Sequence, residues 1–396
     1  MTAPLPVIIV GAGMAAYAVA REFRKLDKTT PLLLLSSDQA GSYAKPMLSN
    51  ALAMGKDAAG LLSQTAAQMA ATLGATIVGG VTVTAIDSAA RTVACSDGSG
   101  HAYRDLVLAL GATPIRLALK GDGAASVLSV NHLDDYATLR QRLATVGAAA
   151  RVTILGAGLI GCEFADDLVA GGHQVTLVDP NARPLAALAA PALSAALLQA
   201  WTALPIKLHM QTTALAVRHA GAALQVDLAD GSVIDADVVL SAVGLRPAIA
   251  LASETGLACG RGIQVDAFGA TSAEGIYALG DCAEYHTAHG GAVLPYVAPL
   301  LTAARAIGAT LAGTPTAIVL KNDAVVVKTA SLKLALAPPP AGSTGRWIEV
   351  DDGERIVARF VDDSGIVRGF GLTLHTPALR NALMGELDTL HQGAPA

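Results

Sequence analysis

Two short glycine-rich runs carry the most chemistry in this sequence, Gly11-Ala12-Gly13-Met14-Ala15-Ala16 and Gly156-Ala157-Gly158-Leu159-Ile160-Gly161. Each follows an apolar stretch, VIIV at 7–10 and VTIL at 152–155, and each leads into a helical pattern. Strand, glycine turn and helix in that order form the dinucleotide-binding fingerprint. The first glycine makes the turn and the second lets backbone approach a pyrophosphate. The third position needs only a small residue against the strand, and alanine serves in the first run. The helix N-terminus then aims its N–H groups at the phosphates. A second apolar strand follows each unit, LLLL at 32–35 and VTLV at 175–178. The repeated βαβ pattern predicts an α/β protein with two Rossmann-like dinucleotide-binding domains.

The ends of those second strands are where a ribose would sit. Asp179 closes the second one, 179 − 156 = 23 positions beyond the first glycine. A carboxylate there accepts from ribose hydroxyls and repels a 2′-phosphate, which favours NADH over NADPH; nearby Arg183 weakens that preference slightly. The first unit runs instead into Ser36-Ser37-Asp38, where either Ser37 or Asp38 serves the ribose or the run is a solvated turn. Asp281 follows an apolar strand and Gly280, and can accept from the ribityl hydroxyls of a flavin. Lys45, Glu163 and Lys328 are candidates for the flavin ring itself. A lysine or a helix N-terminus, such as one starting near Val297, stabilises the negative charge of reduced flavin near N1. Taken alone, each lysine reads as a surface charge.

The elements that must position these groups fit the composition: 53% hydrophobic residues, 15% charged residues and 40 glycines among 396 residues. Such a chain can bury parallel strands under alanine- and leucine-rich helices, and its length implies more than one domain. The strand at 106–110 ends in Gly111-Ala112-Thr113-Pro114, and 238–247 ends in Gly244-Leu245-Arg246-Pro247. The expected organisation is 1–114 and 247–320 for the first nucleotide domain, 115–246 for the second, and a small α+β domain over 321–396. Strand-like runs lie in that tail at 347–350, 356–361 and 366–372, and a short helix closes it.

Several function classes are disfavoured. Cys95, Cys162, Cys259 and Cys282 form no Cys-x-x-Cys or Cys-x4-Cys pair, so a dithiol centre, a zinc site or a disulfide framework is not expected. The nine histidines show no metal-ligand spacing, and no Ser/His/Asp set stands out. The net charge of −5 argues against general nucleic-acid binding. Mean hydropathy is +0.49, yet Pro, Gly, Ser or Asp interrupts every long apolar stretch, and no basic region precedes the first strand. Neither membrane insertion nor a signal peptide is expected, and a cytoplasmic location follows.

Taken together these residues resemble the two-dinucleotide-binding-domain flavoprotein reductases, the FAD-dependent pyridine nucleotide oxidoreductases of glutathione-reductase-like fold, and within them the rubredoxin-reductase branch. The likeness runs from about residue 7 to residue 372. It is strongest in SYAKPMLS at 42–49, LVLALGATPIR at 106–116, LGAGLIGCEFADDL at 155–168, SAVGLRP at 241–247, RGIQVD at 261–266 and IYALGDCAE at 276–284, and continues through LPYVAPL at 294–300 and VVVKTASLKLAL at 325–336. The resemblance implies FAD on Gly11 to Ala16, Lys45 and Pro46 beside the isoalloxazine, and Val83 meeting the adenine through its backbone. It also implies Asp281 on the ribityl chain, Val297 and Lys328 at the pyrimidine edge, and Glu163 where nicotinamide stacks. NADH would be the hydride donor and rubredoxin or a similar small iron-sulfur protein the acceptor, with no catalytic side chain required; the oligomeric state is left open, a monomer being compatible with this reading.

The departures from the wider family are informative. No cysteine pair stands on or after the first helix, and Gly41-Ser42-Tyr43 occupies the region where peroxide and coenzyme A disulfide reductases carry one cysteine. Asn50 follows Leu48-Ser49 where ferredoxin reductases usually have lysine, which favours the rubredoxin branch. Competing expectations are a flavorubredoxin or ferredoxin reductase, an NADH oxidase, and a non-catalytic NADH-sensing flavoprotein. An acidic acceptor needs a local positive patch, with Arg21, Arg24 and Lys25, or Lys45 and Lys56, as its candidate sources.

Overall fold

The computed structural model describes residues 4–288 and 290–387. The helices that matter for the site are α1 (Met14–Leu26), α2 (Leu159–Ala170), α3 (Pro191–Trp201), α4 (Val297–Leu311) and α5 (Pro377–Glu386).

The first nucleotide unit is a parallel five-stranded sheet in the order Ile276–Ala278, Asp105–Leu108, Val7–Val10, Leu32–Leu35, Thr76–Val78. Val7–Val10 is central and fully buried, so its sequence is a continuous apolar run rather than an alternation. The edge strand Ile276–Ala278 comes from beyond the second unit, so returning chain completes this sheet. The strand read at 106–110 ends earlier, at Leu108, because the chain turns toward the crossing at Gly111. α1 and α4 cover one face side by side. A Cβ on Gly308 would stand 2.8 Å from Glu22 Cβ and 2.9 Å from the Phe23 nitrogen, so glycine is what lets the two helices close.

The second unit has a parallel four-stranded sheet, Ile206–Met210, Gln174–Asp179, Arg151–Leu155, Val238–Ser241, with a three-stranded antiparallel layer beside it. The two crossings between the units pair with each other: Ala112–Pro114 runs antiparallel to Leu245–Pro247. Gly111 and Gly244 precede them at φ +68° and +107°, a conformation that an L side chain resists.

The third unit is an antiparallel five-stranded sheet, Val325–Val327, Leu334–Ala337, Val367–Thr373, Ile356–Asp362, Gly345–Asp351. α5 covers one face over Phe370 and Leu372. Val327, Leu334, Leu336 and Ala358 share one apolar core with Leu193 and Leu197 of α3. The tail therefore has no isolated core of its own on that side; it is welded to the second unit. Among the described residues no helix is long and apolar enough to cross a membrane, and no cluster of three His, Cys, Asp or Glu residues is placed to hold a metal ion.

Candidate functional site

Both glycine turns form open cradles. Gly11 has φ +115°, and a Cβ there would lie 2.4 Å from the Ala109 carbonyl oxygen. Gly156 has φ +106°, with a hypothetical Cβ 2.6 Å from the Ala242 oxygen. Beside Gly13 and Gly158 there is open space. These two glycines cap α1 and α2, neither helix has a side-chain cap, and neither carries an acid in its first turn. Uncapped helix N–H groups facing a gap, with no acid in the first helical turn, suit a dinucleotide pyrophosphate in both places. The third positions differ for a steric reason. Ala16 is buried without strain, but a Cβ on Gly161 would come within 1.9 Å of the Gly156 oxygen. Gly161→Ala is expected to weaken dinucleotide binding at the second cradle at least about tenfold by pushing α2 off its strand. Equilibrium titration of the nucleotide, with occupancy of the first cradle as internal control, checks this.

Asp179 is 7% exposed and does structural work in its turn. Its Oδ2 accepts from Ala157 N at 2.6 Å, and its Oδ1 accepts from Asn181 N and Nδ2, both at 2.8 Å. The expectation that Arg183 slightly weakens the NADH preference is corrected: its guanidinium donates to Ser194 Oγ at 2.7 Å and the Ala189 oxygen at 2.9 Å, facing the start of α3. In the first unit Asp38 Oδ1 accepts from Ser36 Oγ at 2.7 Å and Ala40 N at 2.8 Å, while Ser37 is exposed. Both bonds fall on Oδ1, so Oδ2 is the oxygen left for a ligand.

Gly280-Asp281 and Lys45, far apart in sequence, come together beside the first cradle. A Cβ on Gly280 would lie 3.0 Å from Ala15 Cβ, which sets Gly280-Asp281 against the glycine turn. Burial pulls the Lys45 ammonium below its usual range, and the carboxylates of Asp281 and Asp135 oppose that shift. Lys45 and Pro46 open a 3-10 turn, Lys45–Ser49. Val297 begins α4, whose N-terminus again lacks a side-chain cap and an acid in its first turn. Val83 starts strand Val83–Asp87 with its side chain buried.

The three units converge on Glu163, which is 0% exposed in the middle of α2. Its Oε2 accepts from Ser49 Oγ and from Lys328 Nζ, each at 2.5 Å, and its Oε1 accepts from Lys328 N at 3.0 Å. Glu163 thus ties the Lys45–Ser49 turn of the first unit and Lys328 of the third to the helix that begins at the second cradle. Lys45 and Lys328 are both partly buried, so the reading of each as a mere surface charge does not hold.

Sequence reasoning missed Asp166 and Asp167, both 4% exposed on the same helix. Asp166 accepts from Ala330 N at 2.8 Å, Ser331 N at 3.1 Å, Ser331 Oγ, and Trp201 Nε1 at 3.0 Å. Asp167 accepts from Ala53 N at 2.8 Å and Leu52 N at 3.1 Å. The available signal was LIGCEFADDLVA: acids at i, i+3 and i+4 share one face of an otherwise apolar helix.

The thiols beside the motifs are packing groups. Cys162 donates to the Ala157 oxygen at 3.3 Å, and burial pushes its thiol far above the usual range. Cys282 donates to the Leu279 and Leu108 oxygens, and burial raises it to about 11. The cationic face expected on α1 is corrected in one member: Arg24 is buried and donates to the Leu73, Gly74 and Asp27 oxygens, whereas Arg21 is exposed and Lys25 pairs at the surface with Glu22 at 2.7 Å.

Two open dinucleotide cradles, a paired double crossing between them and a third sheet closing over their junction define an oxidoreductase of the two-cradle flavin and pyridine nucleotide class. Residues 5–300 match the pyridine nucleotide-disulphide oxidoreductase family, and the chain belongs to that family. Residues 317–387 match the rubredoxin binding C-terminal domain. The chain is 43% identical to the rubredoxin-NAD(+) reductase of Alcanivorax borkumensis, over 97% of this chain and 99% of that one. It is 35% identical to the nitric oxide reductase FlRd-NAD(+) reductase of Aeromonas salmonicida, over 92% of both chains. Its fold superposes on putidaredoxin reductase, solved in a covalent complex with putidaredoxin, with a TM-score of 0.86 at 26% identity, covering 97% of this chain and 93% of that one.

Proposed function

We propose that the chain passes electrons from NADH through a resident FAD to rubredoxin or a similar small iron-sulfur protein. The observation that carries this reading is the junction at Glu163, where the Lys45–Ser49 turn of the first nucleotide unit, the helix of the second and the unit matching a rubredoxin-binding domain meet with no cysteine pair among them. Electrons that leave such a site need no dithiol.

The flavin unit consists of 1–114 with 247–320, and holds FAD through Gly11, Ala12, Gly13, Met14, Ala15 and Ala16 at the pyrophosphate. Ser36 orients Asp38, whose Oδ2 takes the ribose in preference to exposed Ser37. Val83 serves the adenine with its backbone, Asp281 the ribityl chain, and Gly111 the turn out of the unit. Lys45, Pro46, Val297 and Lys328 border the ring. Residues 115–246 hold NADH through Gly156, Gly158, Leu159, Ile160, Gly161 and Asp179, with Gly244 at the return crossing and Glu163 at the nicotinamide. Residues 321–387 face the acceptor, and the rest of the expected tail, 388–396, lies outside the described residues. When bound, the flavin supplies the change from hydride to single-electron transfer, which no side chain here provides. The protein's part is to hold two ligands at fixed helix ends, keep Lys45 and Lys328 near the ring, and exclude water with three packed units.

Four unpaired cysteines suit a reducing compartment, so a cytoplasmic setting is part of the same proposal. A second reading, with the rubredoxin-like module of a flavorubredoxin as acceptor, draws support from the Aeromonas salmonicida relative.

Anaerobic stopped-flow bleaching by NADH, followed by titration with rubredoxin, flavorubredoxin, ferredoxin or oxygen, tests the proposal. Fast reoxidation by rubredoxin is expected. Fast reoxidation by air alone would make the chain an oxidase, and absence of bleaching would make it a sensor. Lys328→Ala is expected to lower the flavin potential, because a cation that stabilises the reduced ring is lost; a redox titration with no shift would remove Lys328 from the ring.

A further inference from the structure

Resting on the flavin reading above, we propose that Asp166 and Asp167 are positioning residues that fix the two lysine-bearing segments to α2 and thereby set both ammonium groups relative to the flavin. The two segments approach the helix from different units. Asp166 binds the turn after Lys328 through the N–H groups of Ala330 and Ser331 and the Ser331 hydroxyl. Asp167 binds the end of the segment opened by Lys45 through the N–H groups of Leu52 and Ala53. One helical turn earlier Glu163 holds Ser49 and Lys328 themselves.

Burying a carboxylate costs several kcal/mol unless it is fully hydrogen-bonded, and an apolar pair would pack the same helix without that penalty. Neither aspartate takes part in an ion pair among the described residues; every hydrogen bond they accept comes from a neutral N–H or O–H. What such contacts add over apolar packing is direction. Backbone N–H groups are held at one distance and angle, so the two segments cannot slide along α2. Between them lies a cleft of about 320 Å³ bordered by Asn50, Met54, Lys328 and Ala330, so apolar packing does not fill that space. Across that space the two aspartates, together with Glu163, hold the lysine-bearing segments in place.

The test compares FAD midpoint potentials of the holoprotein in two double-mutant cycles, Asp166→Asn against Lys328→Ala and Asp167→Asn against Lys45→Ala. Each aspartate variant is expected to lower the potential by a shift equal to about threefold or more in the reduced-to-oxidised ratio at a fixed poise. Each double variant should fall no further than its lysine variant alone, because the aspartate acts through that lysine. Additive shifts, or wild-type potentials in variants that have merely lost thermal stability, overturn the proposal. Should Asp166→Asn fail to fold, Ser331→Ala removes one donor from the same carboxylate and enters the cycle in its place. NADH bleaching of the unaltered chain, measured in parallel, separates failure of this inference from failure of the reductase reading.

Discussion

Glu163→Leu is expected to destabilise the junction by about 3 kcal/mol and to slow reduction of the bound flavin by NADH about a hundredfold. The leucine fits an apolar helix but strands three donors: Ser49 Oγ, Lys328 N and Lys328 Nζ. Breaking one side of a buried pair costs about 3–5 kcal/mol. The lower end applies because the Lys328 side chain is 24% exposed and can turn toward water. The kinetic effect is separate. Without Glu163 the Lys45–Ser49 turn and Lys328 lose their common anchor, and an ångström of misplacement at a reacting centre is enough for a loss of this size. Intrinsic fluorescence reports the first effect well. The chain has two tryptophans; Trp201 donates to Asp166, and Trp347 packs edge-on against Phe360 in the third sheet at 5.4 Å. A urea midpoint and a single-turnover rate both equal to wild type would refute the role given to this glutamate. Glu163→Gln keeps an acceptor without the charge and should fall between the two.

Asp179→Ala is expected to reduce kcat/KM for NADH by about 10- to 100-fold while changing that for NADPH much less. Hydrogen bonds to a charged acceptor contribute about 1.5–3 kcal/mol, and each 1.4 kcal/mol is a factor of ten. The NADH-to-NADPH preference should therefore fall at least about tenfold, and further in Asp179→Ala/Asn181→Arg, where a cation meets the 2′-phosphate. Asp179 also accepts from Ala157 N within the glycine turn, so part of the loss could come from a loosened cradle. Asp179→Asn separates the two causes, since the amide oxygen can still take that N–H while the charge is gone. An unchanged preference in all three variants would mean that this carboxylate does not read the ribose.

The cradles were legible because their requirements are local. A positive φ at Gly11 and Gly156, a small residue at Ala16 and Gly161, and an apolar strand before each turn are properties of a few consecutive residues. The antiparallel tail was legible for the same reason, its strands falling at Gly345–Asp351, Ile356–Asp362 and Val367–Thr373 beside the expected runs. The fate of charged side chains was not. Arg24 and Lys25 look in sequence like a solvated cationic face, yet Arg24 folds inward onto backbone oxygens some 49 residues away, while Lys25 stays at the surface paired with Glu22. Arg183 stands four positions from Asp179 and faces elsewhere, because the start of α3 offers it Ser194 and a carbonyl.

By itself the sequence determined two phosphate-binding turns, the strands behind them and the absence of a dithiol, because backbone geometry and short continuous apolar runs are decided over a handful of neighbours. Only the tertiary structure decided what Glu163, Asp166 and Asp167 do. Their partners lie 114 to 165 residues away on two other units, apart from Trp201 at 35. A carboxylate becomes an anchor rather than a solvated charge only when docking of those units removes its water and brings N–H groups in its place.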